Sequence, residues 1–173
     1  MNRITQMLLT LGLMLTAGVA AAHPGHGAHG QGDFLSGLLH PMMGLDHLLA
    51  MAAIGFWSMR QSASLKRGAP LFVIAGMVGG AAIAWAGISL AGIETGIAMS
   101  VLLVGVLIAT MAKLPTAIGG SLVALFMLTH GYAHGAEMAE GASLVAYMLG
   151  FVIATLAITF MGRGLGALMI NAD

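Results

Sequence analysis

Five long apolar segments constrain the fold of this chain more than any other feature. They lie at about 37–59, 69–91, 94–112, 116–135 and 143–162. Each is near the roughly 20 residues that an α-helix needs to cross the hydrocarbon core of a bilayer. Charged residues make up 7% of the chain, whereas a soluble domain usually carries about 25%. The sequence therefore predicts an all-α integral membrane protein, a compact bundle of about five transmembrane helices.

The N-terminus has the pattern of a cleavable signal peptide. Arg3 supplies a positive charge, residues 7–15 (MLLTLGLML) an apolar core, and residues 17–22 (AGVAAA) a run of small residues. Cleavage after Ala22 would complete this pattern. The alternative is an uncleaved anchor helix, which the short apolar run disfavours.

Three regions follow from this reading. We expect a signal peptide at 1–22, a His- and Gly-rich extracytoplasmic tail at 23–36, and the helix bundle at 37–173. In the tail, His23, His26 and His29 recur at every third position, a composition associated with metal binding. We interpret them as weaker candidates for metal capture, with a merely hydrophilic linker as the alternative.

The basic residues predict the orientation. They follow the first, third and fifth apolar segments: Arg60, Lys66, Arg67, Lys113 and Arg163. The other two connections carry no Lys or Arg. Because positively charged loops stay in the cytoplasm, the mature N-terminus should lie outside and the C-terminus inside.

Composition and missing motifs exclude several functions. Net charge is zero with neutral histidines and there is no cysteine, so no nucleic-acid partner, disulfide or thiolate metal site is expected. The chain contains neither a P-loop nor an H-E-x-x-H zinc motif. We therefore expect neither ATP-driven transport by this chain alone nor an enzyme.

Ionisable residues at membrane depth form two clusters. The first apolar segment contains His40, Asp46 and His47, and positions seven apart on one helix share a face. The fourth contains His130 and His134 at i, i+4, followed by Glu137. Two imidazoles at this spacing, with a carboxylate one turn away, can ligate one metal ion.

The cost of these groups favours a functional role. An Asp at the centre of a membrane helix costs about 2.5–3.5 kcal/mol, and such residues usually mark paths for ions or substrates. Glu94, at the start of the third segment, is a weaker candidate. Imidazole and carboxylate ligands suit Ni(II), Co(II), Zn(II) or Cu(II). Interhelical hydrogen bonding without metal is the alternative, and whether the clusters form one site or two stays open.

The two motifs resemble those of the HupE/UreJ family of small membrane proteins. HPMMGLDH (40–47) fits the H-x5-D-H pattern, and HGYAHGAE (130–137) is similar to the H-G-x-A-x-G-x-E run of that family. The family usually has Phe before the second motif, where this chain has Thr129. That difference affects local packing and not a ligand position.

The resemblance implies a nickel permease of the bacterial inner membrane that serves hydrogenase or urease maturation, with some relatives linked to cobalt. The residues that match family positions proposed to handle metal are His40, Asp46, His47, His130 and Glu137. His134 occupies a variable motif position, so its assignment depends on helical phasing alone.

The resulting hypothesis is a facilitated-diffusion permease that imports Ni(II), with the metal as substrate and no permanently bound cofactor. Its partners would be the bilayer and the ion, with a homo-oligomer and contact with maturation proteins left open. The alternatives are a cobalt or copper transporter, an accessory subunit that binds metal without moving it, and a cytochrome with haem between His47 and His134.

Overall fold

The structure is a computed structural model that describes residues 33–138 and 141–171. Within these ranges it contains six α-helices and no β-strand. The helices are α1 (Asp33–Met43), α2 (Leu45–Ser58), α3 (Ala63–Trp85), α4 (Ile93–Ala109), α5 (Thr116–Ala136) and α6 (Leu144–Asn171). The all-helical prediction is confirmed. The predicted signal peptide and most of the predicted tail lie outside the described residues, and positions 33–36 of that tail belong to α1.

The first predicted span is not one continuous helix. Helices α1 and α2 are long and apolar enough to cross a membrane only as a pair, and they are bent by 79° at Gly44. The prediction of a single helix over 37–59 is therefore wrong. The broken backbone follows from Gly44, whose extended conformation interrupts the helix.

Three of the other helices are long and apolar enough to cross a membrane: α3, α5 and α6. Helix α4 is apolar but has only 17 residues. Helix α3 begins at Ala63, six residues before the predicted span, because the Ser62 side chain caps its N-terminus by accepting a hydrogen bond from the Leu65 backbone. These helices make the chain a membrane protein.

Glycines bring α3 and α5 into close backbone contact. A Cβ atom on Gly76 or Gly80 of α3 would collide with backbone carbonyls of α5. A Cβ on Gly131 would likewise collide with the backbone of Met77 in α3. Small residues at such positions let membrane helices pack through van der Waals contact. This contact fixes which face of α5 points to α3 and leaves the adjoining face, about 100° around the helix, for the bundle interior.

The two halves of the broken span both pack on α6. In α1, Gly37 lies against the backbone of Tyr147, and in α2, Gly55 lies against the backbone of Thr159. The backbone of α6 thus holds both sides of the bend. Because α1 and α2 have a common support, their relative orientation is set by packing and not by the Gly44 link alone.

The fold separates charges between its two ends. At one end, Arg163 donates to the Lys66 carbonyl oxygen at 2.6 Å, and Gln61 bonds the α4–α5 connection next to Lys113. At the other end, the Ser143 backbone donates to Asp33. The described basic residues gather at the first end. The predicted orientation, with this end in the cytoplasm, depends on that asymmetry.

Candidate metal site

Helix α5 carries two His-Gly pairs one turn apart. The glycines and the histidines of these pairs pack against different parts of the protein. Gly131 and Gly135 lie against α3. His130 and His134 are buried, with exposed fractions of 0% and 2%. Residues at i and i+4 share a helix face. The glycine stripe therefore orients both imidazoles toward the interior of the bundle.

The break at Gly44 places Asp46 and His47 in the first turn of α2. One Asp46 carboxylate oxygen accepts hydrogen bonds from the His47 backbone N–H at 2.9 Å and from His47 Nδ1 at 2.8 Å. Both residues are 7% exposed. A helix N-terminus favours a negative charge, so the broken helix lowers the cost of burying this carboxylate.

The same hydrogen bond defines which nitrogen of His47 can bind a metal. When Nδ1–H donates to the Asp46 carboxylate, Nε2 keeps its lone pair. A carboxylate in this position orients the ring and raises its basicity as a ligand. Asp46 is therefore placed to orient the His47 ring and to leave its Nε2 atom as the candidate ligand.

Four imidazole rings form a continuous column. Ring centroids are 4.6 Å apart for His130–His47, 4.3 Å for His47–His134 and 4.6 Å for His134–His40. The column draws on three helices, α1, α2 and α5. His134 contacts both His40 and His47, so it links the two clusters that the sequence shows separately.

The column ends at His40 in a group of three candidate ligands. We call this the outer end because the His40 and Glu137 side chains are partly exposed. His40 Nε2 lies 2.9 Å from Glu137 Oε2. Ligand atoms of His40, His134 and Glu137 all lie within 4.8 Å of one another, the one such group found among the described residues. The His40 and Glu137 side chains are 23% and 31% exposed. This end is thus accessible, whereas the rest of the column is buried.

The inner end of the column is anchored by Ser100 of α4. The Ser100 hydroxyl donates to the Ile97 carbonyl at 2.7 Å and lies 2.7 Å from His130 Nε2. Because its one proton is used, Ser100 accepts from His130 Nε2–H. His130 Nδ1 then keeps its lone pair, and this buried atom has no hydrogen-bond partner in ranges 33–138 and 141–171.

Helix α6 supplies an aromatic wall beside the outer ligand set. The Phe151 ring lies 4.5 Å from the His134 ring, and the Tyr147 ring lies 6.3 Å from the His40 ring. Sequence reasoning identified none of Ser100, Tyr147 and Phe151. The sequence indicates them only weakly. Ser100 is a single hydroxyl inside an apolar segment, and Tyr147 and Phe151 are two aromatic residues at i, i+4 near the start of another.

Seven of the residues that the sequence singled out lie within the described ranges. Six of them lie in or beside the column: His40, Asp46, His47, His130, His134 and Glu137. Glu94 is exposed in the first turn of α4 and is outside the three-ligand group. The tail histidines His23, His26 and His29 lie outside the described residues.

One geometric prediction about these residues is wrong. His40 and His47 do not share a face of one helix, because the 79° bend separates α1 from α2. They come together through His134 instead. The periodicity of a straight helix does not apply across the break, and each of the two rings lies beside His134.

Fold and site together define a class: a multi-pass helical membrane protein with a histidine–carboxylate cluster at membrane depth. The HupE / UreJ protein family matches residues 11–173. The chain is 35% identical over 166 residues to Protein HupE of Rhizobium leguminosarum bv. viciae, covering 96% of this chain and 85% of that protein. This protein belongs to the HupE/UreJ family. No solved structure matches it.

Proposed function

We propose that this protein is a permease that imports Ni(II) across the bacterial inner membrane for hydrogenase or urease maturation. The observation that carries the proposal is the unbroken imidazole column leading from an accessible His40–His134–Glu137 set to buried His130. Membership in the HupE/UreJ family supports the biological role. Nitrogen and oxygen ligands are compatible with nickel.

The column suits transfer of an ion in short steps. Neighbouring rings are 4.3–4.6 Å apart, so an ion can gain one ligand before it loses another. Conduction needs sites that bind strongly enough to load and weakly enough to release. The ion would load at His40, His134 and Glu137, and pass to the Nε2 atom of His47 and the Nδ1 atom of His130.

The path inward from His130 is filled by apolar side chains. Met51 lies one turn beyond His47 on α2, and Met127 lies nearly one turn before His130 on α5; both are fully buried. Val104 and Ile54 belong to the same core cluster. Release to the cytoplasm would therefore require a second conformation in which these helices separate, and in this proposal the packed arrangement is the state that loads from outside.

The substrate is proposed from the family and not from the ligands. The raw affinity of such a site would favour Cu(II) over Ni(II), so selectivity must come from geometry and metal supply. Cobalt and copper remain the competing substrates. No energy-coupling device is proposed, and the ion moves down its own gradient.

Ring packing argues against the cytochrome alternative. The His47 and His134 rings are in contact, with centroids 4.3 Å apart. A porphyrin plane between them would have to push the rings apart. The accessory-subunit alternative is compatible with the same geometry, and only a transport measurement separates it from a permease.

Intracellular nickel, cobalt, copper and zinc measured by mass spectrometry test this proposal. Cells would express the wild type, His47→Ala or the control Asp33→Asn at equal membrane levels. A permease raises intracellular nickel in the wild type and the control, but not in His47→Ala. A rise in another metal would change the substrate, and no rise in any metal would refute stand-alone transport.

A further inference from the structure

A buried tyrosine hydroxyl beside the outer ligand set has no structural partner. Tyr147 is 5% exposed, and its hydroxyl makes no hydrogen bond within residues 33–138 and 141–171. Its ring lies 6.3 Å from the His40 ring and stacks on Phe151, with an interplanar angle of 12°.

Packing alone does not explain this residue. A buried polar group without a partner costs free energy, and tyrosine hydroxyls usually find partners when buried. Phenylalanine would keep the stacking on Phe151 and the contact with His40 while removing that cost. The hydroxyl is therefore unfavourable for folding as the structure stands, which is typical of a group whose partner arrives with a ligand.

We propose that Tyr147 is a positioning residue of the metal site, whose hydroxyl oxygen accepts a hydrogen bond from water coordinated to the bound divalent cation. The inference builds on the proposed function, because it adds a residue to the site that loads the ion. Tyr147 does not touch the metal in this proposal; it acts through a water ligand.

The composition of the ligand set leaves a coordination position for such a water. His40, His134 and Glu137 provide three protein ligands, and a divalent ion held by three ligands keeps water in an open position. Residues that hydrogen-bond the ligands of a metal typically change its affinity 10- to 100-fold when mutated. Tyr147 and Phe151 border His40 and His134, so the Tyr147 hydroxyl lies on a side of the ligand set where such a water could bind.

Binding of Ni²⁺ to the full-length purified protein in detergent tests the proposal by calorimetry. The variants are Tyr147→Phe and, as a matched control, Tyr132→Phe. Tyr132 accepts a hydrogen bond from the Leu90 backbone, away from the ligand set. We expect Tyr147→Phe to weaken Ni²⁺ binding about tenfold without lowering the thermal unfolding midpoint, and the control to bind like the wild type.

Three results would overturn the inference. One is unchanged Ni²⁺ affinity in Tyr147→Phe. The second is weaker binding accompanied by a lower unfolding midpoint, and the third is equally weak binding in the Tyr132 control, since both of these indicate a general loss of packing. Transport is judged separately: a wild type that binds Ni²⁺ but accumulates none refutes the permease and leaves Tyr147 assigned, whereas a wild type that binds no Ni²⁺ refutes both.

Discussion

Replacing Asp46 by Asn should separate the function of the buried carboxylate from its effect on folding. The substitution keeps the shape of the side chain but removes the charge that accepts two hydrogen bonds from His47. Hydrogen bonds to charged groups contribute about 1.5–3 kcal/mol. Burying the charge in a membrane helix costs about 2.5–3.5 kcal/mol. The Asn amide oxygen can still accept one of the two bonds, so about one charged hydrogen bond is lost against the burial cost, and stability should change by no more than about 1–2 kcal/mol.

Metal handling should respond much more strongly than stability to Asp46→Asn. Loss of a carboxylate that orients a ligating histidine typically lowers metal affinity 10- to 100-fold. The half-saturating Ni²⁺ concentration for uptake should therefore rise about 10- to 100-fold. This effect arises because His47 loses the anion that holds its Nδ1 proton and directs its Nε2 atom to the metal.

The assay is the initial rate of Ni²⁺ uptake into proteoliposomes as a function of concentration, with thermal unfolding measured on the same preparations. Asp33→Asn is the control, because it makes the same chemical change in a carboxylate that bonds only the Ser143 backbone among the described partners. Unchanged half-saturation in Asp46→Asn would refute the role assigned to the Asp46–His47 pair. A large loss of stability with normal uptake per folded molecule would assign Asp46 to structure instead.

Four further outcomes follow from the same geometry. Glu137→Gln should raise the half-saturating Ni²⁺ concentration about tenfold or more, because the loading set loses its anion; equal uptake curves would contradict this. Gly131→Ala should destabilise the fold by about 1–3 kcal/mol by overpacking against α3, whereas the control Gly79→Ala, where a Cβ meets open space, should not; chemical denaturation compares them. Ser100→Ala should slow uptake at saturating Ni²⁺ while Ser100→Thr retains it, since only a hydroxyl holds the imidazole tautomer; equal rates in all three would remove Ser100 from the path. Uptake by the wild type should fall severalfold between about pH 7.5 and about pH 5.5, because protons compete with metal for imidazole nitrogen; a flat profile would argue against histidine ligation.

The sequence identifies candidate site residues more readily than it predicts their arrangement. Ionisable side chains are rare in apolar segments, so His40, Asp46, His47 and His134 stand out without any structure. Their helical phasing was reliable only where the helix is continuous, as in α5. At Gly44 the chain bends by 79°, and a lone glycine in a glycine-rich segment does not indicate that a helix breaks there.

Contacts between helices could not be predicted from periodicity. The link between the two clusters is the packing of His134 against both His40 and His47, which depends on how α5 sits against the bent pair. Ser100 and Tyr147 were missed for the same reason. Serine and tyrosine are common in membrane helices, and only their positions beside His130 and His40 give them significance.

The central claim is that the two sequence motifs form one ion path joined by His134. Its most direct test is Ni²⁺ uptake into liposomes containing only the purified protein, comparing the wild type with His134→Ala. We predict uptake by the wild type and a loss of at least about tenfold in the variant, because removing this ring separates the loading set from His47 and His130. Equal uptake by both proteins would contradict a path through the imidazole column.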